Sequence, residues 1–253
     1  KNKDKFHSKS HGLFNFGPSN PCGVHAPSAI PDGKGGIVVI FNMNPGNKNE
    51  YKDDYVNKYW GQIMTLPRRL NLNEKNQLAI EPAGDIESLR FNKKKIGRMI
   101  LPANQEVVLN EIKGTSMELF LEFNHRDSPM IEINVLRSPN KEEFTRISFF
   151  NKRGFKYQKS VPNNNKSVNV MSSALAELVR HESVLSIDTS YSSILPGVLS
   201  RAPESAPVSI GEKELIQMRI FIDKSVLEVF INSLQCISVR VYASLKESNG
   251  VSL

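Results

Sequence analysis

The chain has 253 residues, 39% of them hydrophobic, which is enough to bury one large core or two modest ones and excludes a disordered or collagen-like protein. Its 33 Lys and Arg against 26 Asp and Glu give a net charge of +7. The excess is scattered over residues 1–9, 93–95 and 152–159, among Asn, Ser and Gly, so it reads as a solvated surface and not as a nucleic-acid patch. No apolar run approaches the roughly 20 residues a membrane span needs, and the first residues, KNKDKFHSKSH, lack the apolar core of a signal peptide. A start at Lys1 without Met suggests that residues precede it, so the compartment is left open, a secreted or periplasmic one being favoured.

Taken in chain order, the first element is the apolar run 35–41 (GGIVVIF), which follows the turn Pro31-Asp32-Gly33 and is too short for a helix; it predicts a buried strand. Residues 42–58 read as a hydrophilic loop. Order resumes over 59–67, where a β-prone stretch ends at Pro67, and a further strand is expected over 69–72. Residues 82–90 (PAGDIESLR) predict a short linker helix capped by Asp85, with Ile86 and Leu89 on one face. Beyond it the periodicity changes to two. The runs 117–123 (MELFLEF), 130–136 (MIEINVL) and 146–150 (RISFF), separated by turn-rich sequence, indicate a sandwich or barrel.

The most regular part is a meander over 218–242. Met218, Ile220 and Ile222 fall on one face of its first strand, Leu227, Val229 and Ile231 on one face of the second, and Ile237, Val239 and Val241 on one face of the third. Turns at Asp223-Lys224-Ser225 and Asn232-Ser233-Leu234-Gln235 join them. The fold class is therefore all-β.

Candidate chemistry is sparse. Cys22 and His25 invite a nucleophile-and-base reading, but three residues apart in a Pro- and Gly-rich loop they have no geometric warrant. Asp127, and the pair Asp223 and Glu228, are the carboxylates to examine for acid–base work. Each has a plainer account: Asp127 lies in the turn-like His125-Arg126-Asp127-Ser128, and Asp223 opens the tight turn of the meander. Cys22 and Cys236 form neither a disulfide framework nor a C-x-x-C pair, the five histidines form no H-x-x-x-H, and neither a calcium loop nor a phosphate cradle is present, so no metal or cofactor is expected.

Several segments, in one order along nearly the whole chain, resemble the second half of a glycoside hydrolase family 32 enzyme, a family that includes invertases, levanases and exo-inulinases. His25-Ala26-Pro27-Ser28 is similar to its Y-A-P-x-S, and Asp32-Gly33-Lys34-Gly35 to its D-x-x-G-R. Trp60-Gly61 with residues 65–70 is similar to its G-W-x-G-x-x-x-L-P-R-E-L, residues 82–90 to its linker, and residues 221–232 (FIDKSVLEVFIN) to its F-x-D-x-S-x-x-E-V-F-x-N. Val239-Arg240-Val241-Tyr242 resembles its R-V-Y-P, and residues 247–253 resemble a segment that opens its final strands, which suggests truncation at both ends.

The resemblance implies the last part of a five-bladed β-propeller over 1–81, a linker with a short helix over 82–95, and a C-terminal antiparallel β-sandwich over 96–253. It implies hydrolysis of β-fructofuranosidic bonds of sucrose or fructans, with the catalytic groups outside this chain: the nucleophile of W-M-N-D-P-N-G, the stabilising Asp of R-D-P and the acid/base of E-C have no counterpart here. Arg126-Asp127 is followed by Ser128, and Gln235-Cys236 does not supply E-C. Substrate contacts are implied at His25, Asn42 and Trp60, with departures from the family pattern at His25 (usually Tyr), Asn42 (the second Trp of W-G-W) and Arg69 (Glu in L-P-R-E-L). A second reading, from another class, is a non-catalytic carbohydrate-binding or interaction module, which exposed aromatics among Phe149, Phe150, Phe155 and Tyr157 would favour.

Overall fold

The computed structural model describes residues 13–19, 21–51, 62–157 and 179–253. Trp60, the basic residues 1–9 and residues 158–159 of the third basic run lie outside them. Fifteen strands among the described residues form three antiparallel sheets. The first comprises β1 (Val24–Pro31), β2 (Ile37–Met43), β3 (Ile63–Met64), β4 (Arg68–Leu72) and β5 (Leu78–Pro82), in the order β1-β2-β4-β5 with β3 beside β4 on the same edge of β2. The second takes β6 (Val108–Lys113), β8 (Met130–Arg137), β9 (Thr145–Tyr157), β10 (Val179–Asp188), β11 (Pro203–Val208) and β15 (Gly250–Ser252), in the order β11-β10-β9-β8-β15-β6. The third is β14 (Gln235–Arg240), β13 (Val226–Ile231), β12 (Ile216–Asp223) and β7 (Ser116–Phe123).

The second and third sheets make the sandwich. Period-two alternation puts Ile133, Val135, Ile147, Phe149, Leu185 and Ile187 on the inner face of one sheet. Met218, Ile220, Leu227, Val229, Ile237 and Val239 line the facing sheet, and all of them have no accessible surface except Ile222 beside them, at 3%. The meander is thus the one its sequence predicts. Its first turn is the two-residue Lys224-Ser225, with Lys224 at φ 51°, a turn whose twist suits a tight hairpin. β15, only three residues long, sits between β6 and β8 in the six-stranded sheet and pairs with both.

Three expectations change. The linker helix is a 3-10 turn, Ile86–Leu89, capped as predicted by Asp85, whose side chain accepts from Ser88 N at 3.3 Å; Leu89 is 74% exposed, so no apolar face is buried. It is held instead by charge: Arg90 and Arg219 both grip Glu118, and both reach Glu87. The stretch after residue 42 is not simply a hydrophilic loop, because Met43, Pro45, Gly46 and Glu50 are buried and Lys48–Tyr51 forms a 3-10 turn. Phe149 is not an exposed aromatic: it lies in the core, edge-on to Phe123 and His125.

β13 is buried at all six positions. Its second face, which alternation alone would leave to water, is covered by the first sheet, where Val39, Phe41, Leu70 and Ile80 pack on Phe230 and Cys236. At the centre of this contact Arg68 (0% exposed) meets Glu228 (1%) at 2.9 Å. Glu228 also accepts from Leu66 N (2.5 Å) and Ser238 Oγ (2.7 Å), while Arg68 donates to Ser238 Oγ (2.5 Å) and Phe14 O (2.9 Å) and lies over the rings of Phe41 and Phe230. Asn15 Oδ1 accepts from Ser238 N, and Gly17 passes so close that a Cβ there would sit 2.1 Å from Ser238 O. Residues 14–17 therefore close the open edge of β14.

Removing one member of a buried pair strands the other charge, at a cost of about 3–5 kcal/mol. Glu228→Leu is expected to lower the unfolding free energy by about that much in urea titration, and adding Arg68→Met to recover part of it. Lys152→Ala, which removes an exposed pair with Glu212, should change stability by less than about 1 kcal/mol.

Candidate functional site

His25 and Asn42 are direct register partners across β1 and β2, and Asn42 also pairs with Met64 of β3. Directly opposed residues share a sheet face. Since Val39, Phe41 and Met43 point to the buried side of β2, Asn42 and with it His25 face away from the sandwich. A bulge between His25 and Ser28, with Ala26 at φ 46°, turns the strand there. His25 is half-buried, its Nδ1 3.4 Å from Gly23 O. Two of the three residues expected to touch a sugar are thus side by side, and the third, Trp60, is outside the described residues.

The turn behind this pair is fixed by a second buried charge. Glu50 accepts from Gly46 N (3.0 Å), Asn47 N (3.1 Å), Arg240 Nη2 (3.1 Å) and Tyr242 Oη (2.6 Å). Burial, and then the facing Glu50 carboxylate, push the Tyr242 phenol well above its ordinary range, so it stays a donor. The Arg240 guanidinium lies over the Tyr242 ring. Residues of the R-V-Y segment that look like a strand signature in sequence are therefore a clamp on the loop that follows Asn42. Asn44 N and Gly23 O, and Cys22 N and Pro45 O, bind that loop to the one preceding His25. Gly46 is required there because a Cβ would stand 2.0 Å from Cys22 Sγ.

Cys22 is buried against this clamp, and desolvation pushes its thiol up to about 11; the same cause takes Cys236 to about 12. Neither is a thiolate at neutral pH, which removes the Cys22–His25 nucleophile reading. Asp127 lies in a turn closed by Ser128 N to His125 O, and His125 is packed on Phe149. Asp223 and Glu228 form no pair: Asp223 is exposed and accepts from Ser116 Oγ, whereas Glu228 is the buried partner of Arg68.

Arg69, where the family pattern has Glu, is paired at 2.6 Å with Asp32 and at 3.5 Å with Glu81. Asp32 also caps its own turn by accepting from Lys34 N (2.7 Å) and Gly36 N (2.8 Å). The substitution thus belongs to the β1–β2 turn and not to the His25–Asn42 edge. Sequence reasoning passed over Arg68 and Glu50, the buried charges that hold the scaffold behind the His25–Asn42 edge. Between the 47–49 turn and the 195–197 loop runs a groove of about 450 Å³ lined by Asn47, Lys48, Asn49, Leu195, Pro196 and Gly197. Among the described residues no group of three or more His, Cys, Asp or Glu could hold a metal ion.

Two packed antiparallel sheets with a third docked on one of them define an all-β protein built on a β-sandwich. Residues 85–253 match the family described as glycosyl hydrolases family 32 C terminal, and the chain belongs to that family. No curated protein matches it. Among solved structures it resembles fructan 1-exohydrolase IIa from Cichorium intybus in complex with 1-kestose, with TM-score 0.71 and 18% identity over 95% of this chain and 46% of that one. It also resembles exo-inulinase from Aspergillus awamori (TM-score 0.63, 16% identity, 94% and 40% covered). A third is a Bombyx mori β-fructofuranosidase in complex with sucrose (TM-score 0.56, 16% identity, 96% and 39% covered). The chain spans less than half the length of each.

Two outcomes follow from the site's electrostatics. The Lys34 amide, the Arg69 guanidinium and the Gly36 amide hold Asp32 at about 2, below its ordinary value. A depressed carboxyl stabilises the fold above its unfolded value of about 4 and ceases to as pH falls through 2. Asp32→Asn should therefore be less stable than the parent at pH 5 to 7, the gap closing between pH 4 and 2 in a series of denaturant titrations. At pH 8 neither cysteine is expected to react with a disulfide reagent in the folded protein, and both should do so in guanidinium; fast labelling of Cys22 in the folded chain would contradict its assigned burial.

Proposed function

We propose that the chain is the C-terminal part of a retaining glycoside hydrolase acting on β-fructofuranosidic bonds of sucrose or fructans, comprising the end of a propeller (1–81), a linker (82–95) and the sandwich (96–253). The observation that carries this reading is family membership over residues 85–253. It is supported by relatives of the same fold described as a fructan exohydrolase bound to 1-kestose and a β-fructofuranosidase bound to sucrose.

In such a hydrolase one carboxylate attacks the anomeric carbon while an acid protonates the leaving oxygen, the two about 5 Å apart. The carboxylates of this chain that the sequence singles out have other work: Glu228 neutralises the buried Arg68, and Asp127 and Asp223 sit at turns; Glu50 likewise neutralises the buried Arg240. What the chain contributes is the His25–Asn42 edge, as part of a subsite wall with Trp60, and the scaffold behind it. Sucrose or a fructan is the partner, and no cofactor is needed for this chemistry.

The purified 253-residue chain is expected to release no fructose from sucrose, levan or inulin. The longer protein that carries it is expected to encode a W-M-N-D-P-N-G-like segment upstream and to release fructose from at least one of the three. Turnover by the 253 residues alone would refute the location of the catalytic carboxylates, and inactivity of the longer protein on all three would refute the substrate class.

A further inference from the structure

Among the described residues, an aromatic side chain that the sandwich offers to solvent is Tyr191, in the loop between β10 and β11. Tyr191 is 58% exposed. One face of its ring lies flat on Phe144, centroids 5.3 Å apart and planes 6° apart, and Phe144 is buried, with Lys141 Nζ and the Arg146 guanidinium within 5.0 and 5.3 Å of its ring centre. With one face covered, the exposure of Tyr191 belongs to its other face and its hydroxyl edge.

The loop that carries the ring is held at many points. Phe144 N donates to Tyr191 O (2.9 Å), Thr145 and Ser192 share a hydroxyl hydrogen bond (2.7 Å), and Ile194 N donates to Glu143 (2.9 Å). Arg201 binds the carbonyls of Ser190, Ser193, Leu195 and Val198 from beneath. Glu143, fully buried, also accepts from Ser244, Leu245 and Ser248, which ties the loop to the end of the meander. A flat ring fixed in this way loses little conformational entropy when something stacks on it. Exposed Ile194 and Leu195 follow it in the same loop. Next to Phe144, Lys141 (paired with Glu106) and Arg146 (paired with Glu132 and Asp188) are each about one-third exposed and keep further N–H groups that can donate to hydroxyls.

A planar apolar face bordered by hydrogen-bond donors suits a sugar ring, whose C–H face is apolar and whose rim carries hydroxyls. We infer that Tyr191 is the platform of a second sugar-binding site, on the sandwich, for a fructan chain; its ligand class rests on the hydrolase reading. Such a site would hold polymer near the enzyme without touching the bond that is cleaved.

The test is electrophoresis of the 253-residue chain through native gels containing levan, inulin or dextran. Retardation by levan or inulin is expected, reduced about tenfold in apparent affinity by Tyr191→Ala and by Tyr191→Leu, which keeps apolar bulk but not the plane, and retained by Tyr191→Trp. Phe120→Ala, which removes a 57%-exposed ring from β7, should leave retardation unchanged. Near-ultraviolet circular dichroism verifies that each variant is folded. Free migration in both fructans, retardation by dextran alone, or retardation that Tyr191→Ala does not alter would each overturn the inference. The two readings fail separately: fructose release by the longer protein with no retardation of the chain removes the platform only, and Tyr191-dependent retardation with a longer protein inert on fructans removes the hydrolase only.

Discussion

Arg68 of the first sheet and Glu228 of the third face each other without access to water, and the docking of those two sheets turns on that fact. A lone ion in such a place would cost several kcal/mol, so each is tolerable only while the other is present and the remaining lone pairs and protons are satisfied. Most are: Leu66, Ser238 and Phe14 supply further contacts from three separate stretches of chain, and of the pair's buried side-chain atoms Arg68 Nε alone is left without a hydrogen-bond partner. Apolar packing of Phe41 on Phe230 would tolerate several relative positions of the sheets. The charged pair, with its directional hydrogen bonds, tolerates one. Arg240 with Glu50 repeats the device about the loop behind Asn42, and Tyr242 extends it. The face of the first sheet that bears His25 and Asn42 is thereby positioned from behind by residues of the sandwich.

Much of the fold was open to reading in the sequence, because period-two alternation is a strong signal where one face meets a core and the other meets water. The meander obeyed that condition on its inner face, and Met218, Ile220, Leu227, Val229, Ile237 and Val239 all lie where alternation puts them. The linker helix failed for the same reason. Its cap was real, but nothing apolar lies beneath Leu89, and without a face to bury the turn did not extend beyond 3-10 geometry.

The candidate site was legible in part. The juxtaposition of His25 and Asn42 follows from a hairpin whose register the Pro31-Asp32-Gly33 turn helps to set. The buried ion pairs were not foreseen, although a trace of them exists: Arg68 has the parity of Leu70 within its strand, and Glu228 is flanked by Val226, Leu227, Val229 and Phe230, so both faces of that strand are apolar. A strand apolar on both faces expects cover on both, and a charge within it expects a partner. Which residue is that partner cannot be read from one strand, since it lies 160 positions away.

The place of β15 carries a consequence for biosynthesis. Three residues, Gly250–Ser252, separate β6 from β8 in the six-stranded sheet and bond to both. β6 and β8 are made more than a hundred residues before β15, so the six-stranded sheet cannot close between them until these three residues have been synthesised. Until then the edges of β6 and β8 that β15 covers present unpaired backbone, open to pairing with other chains.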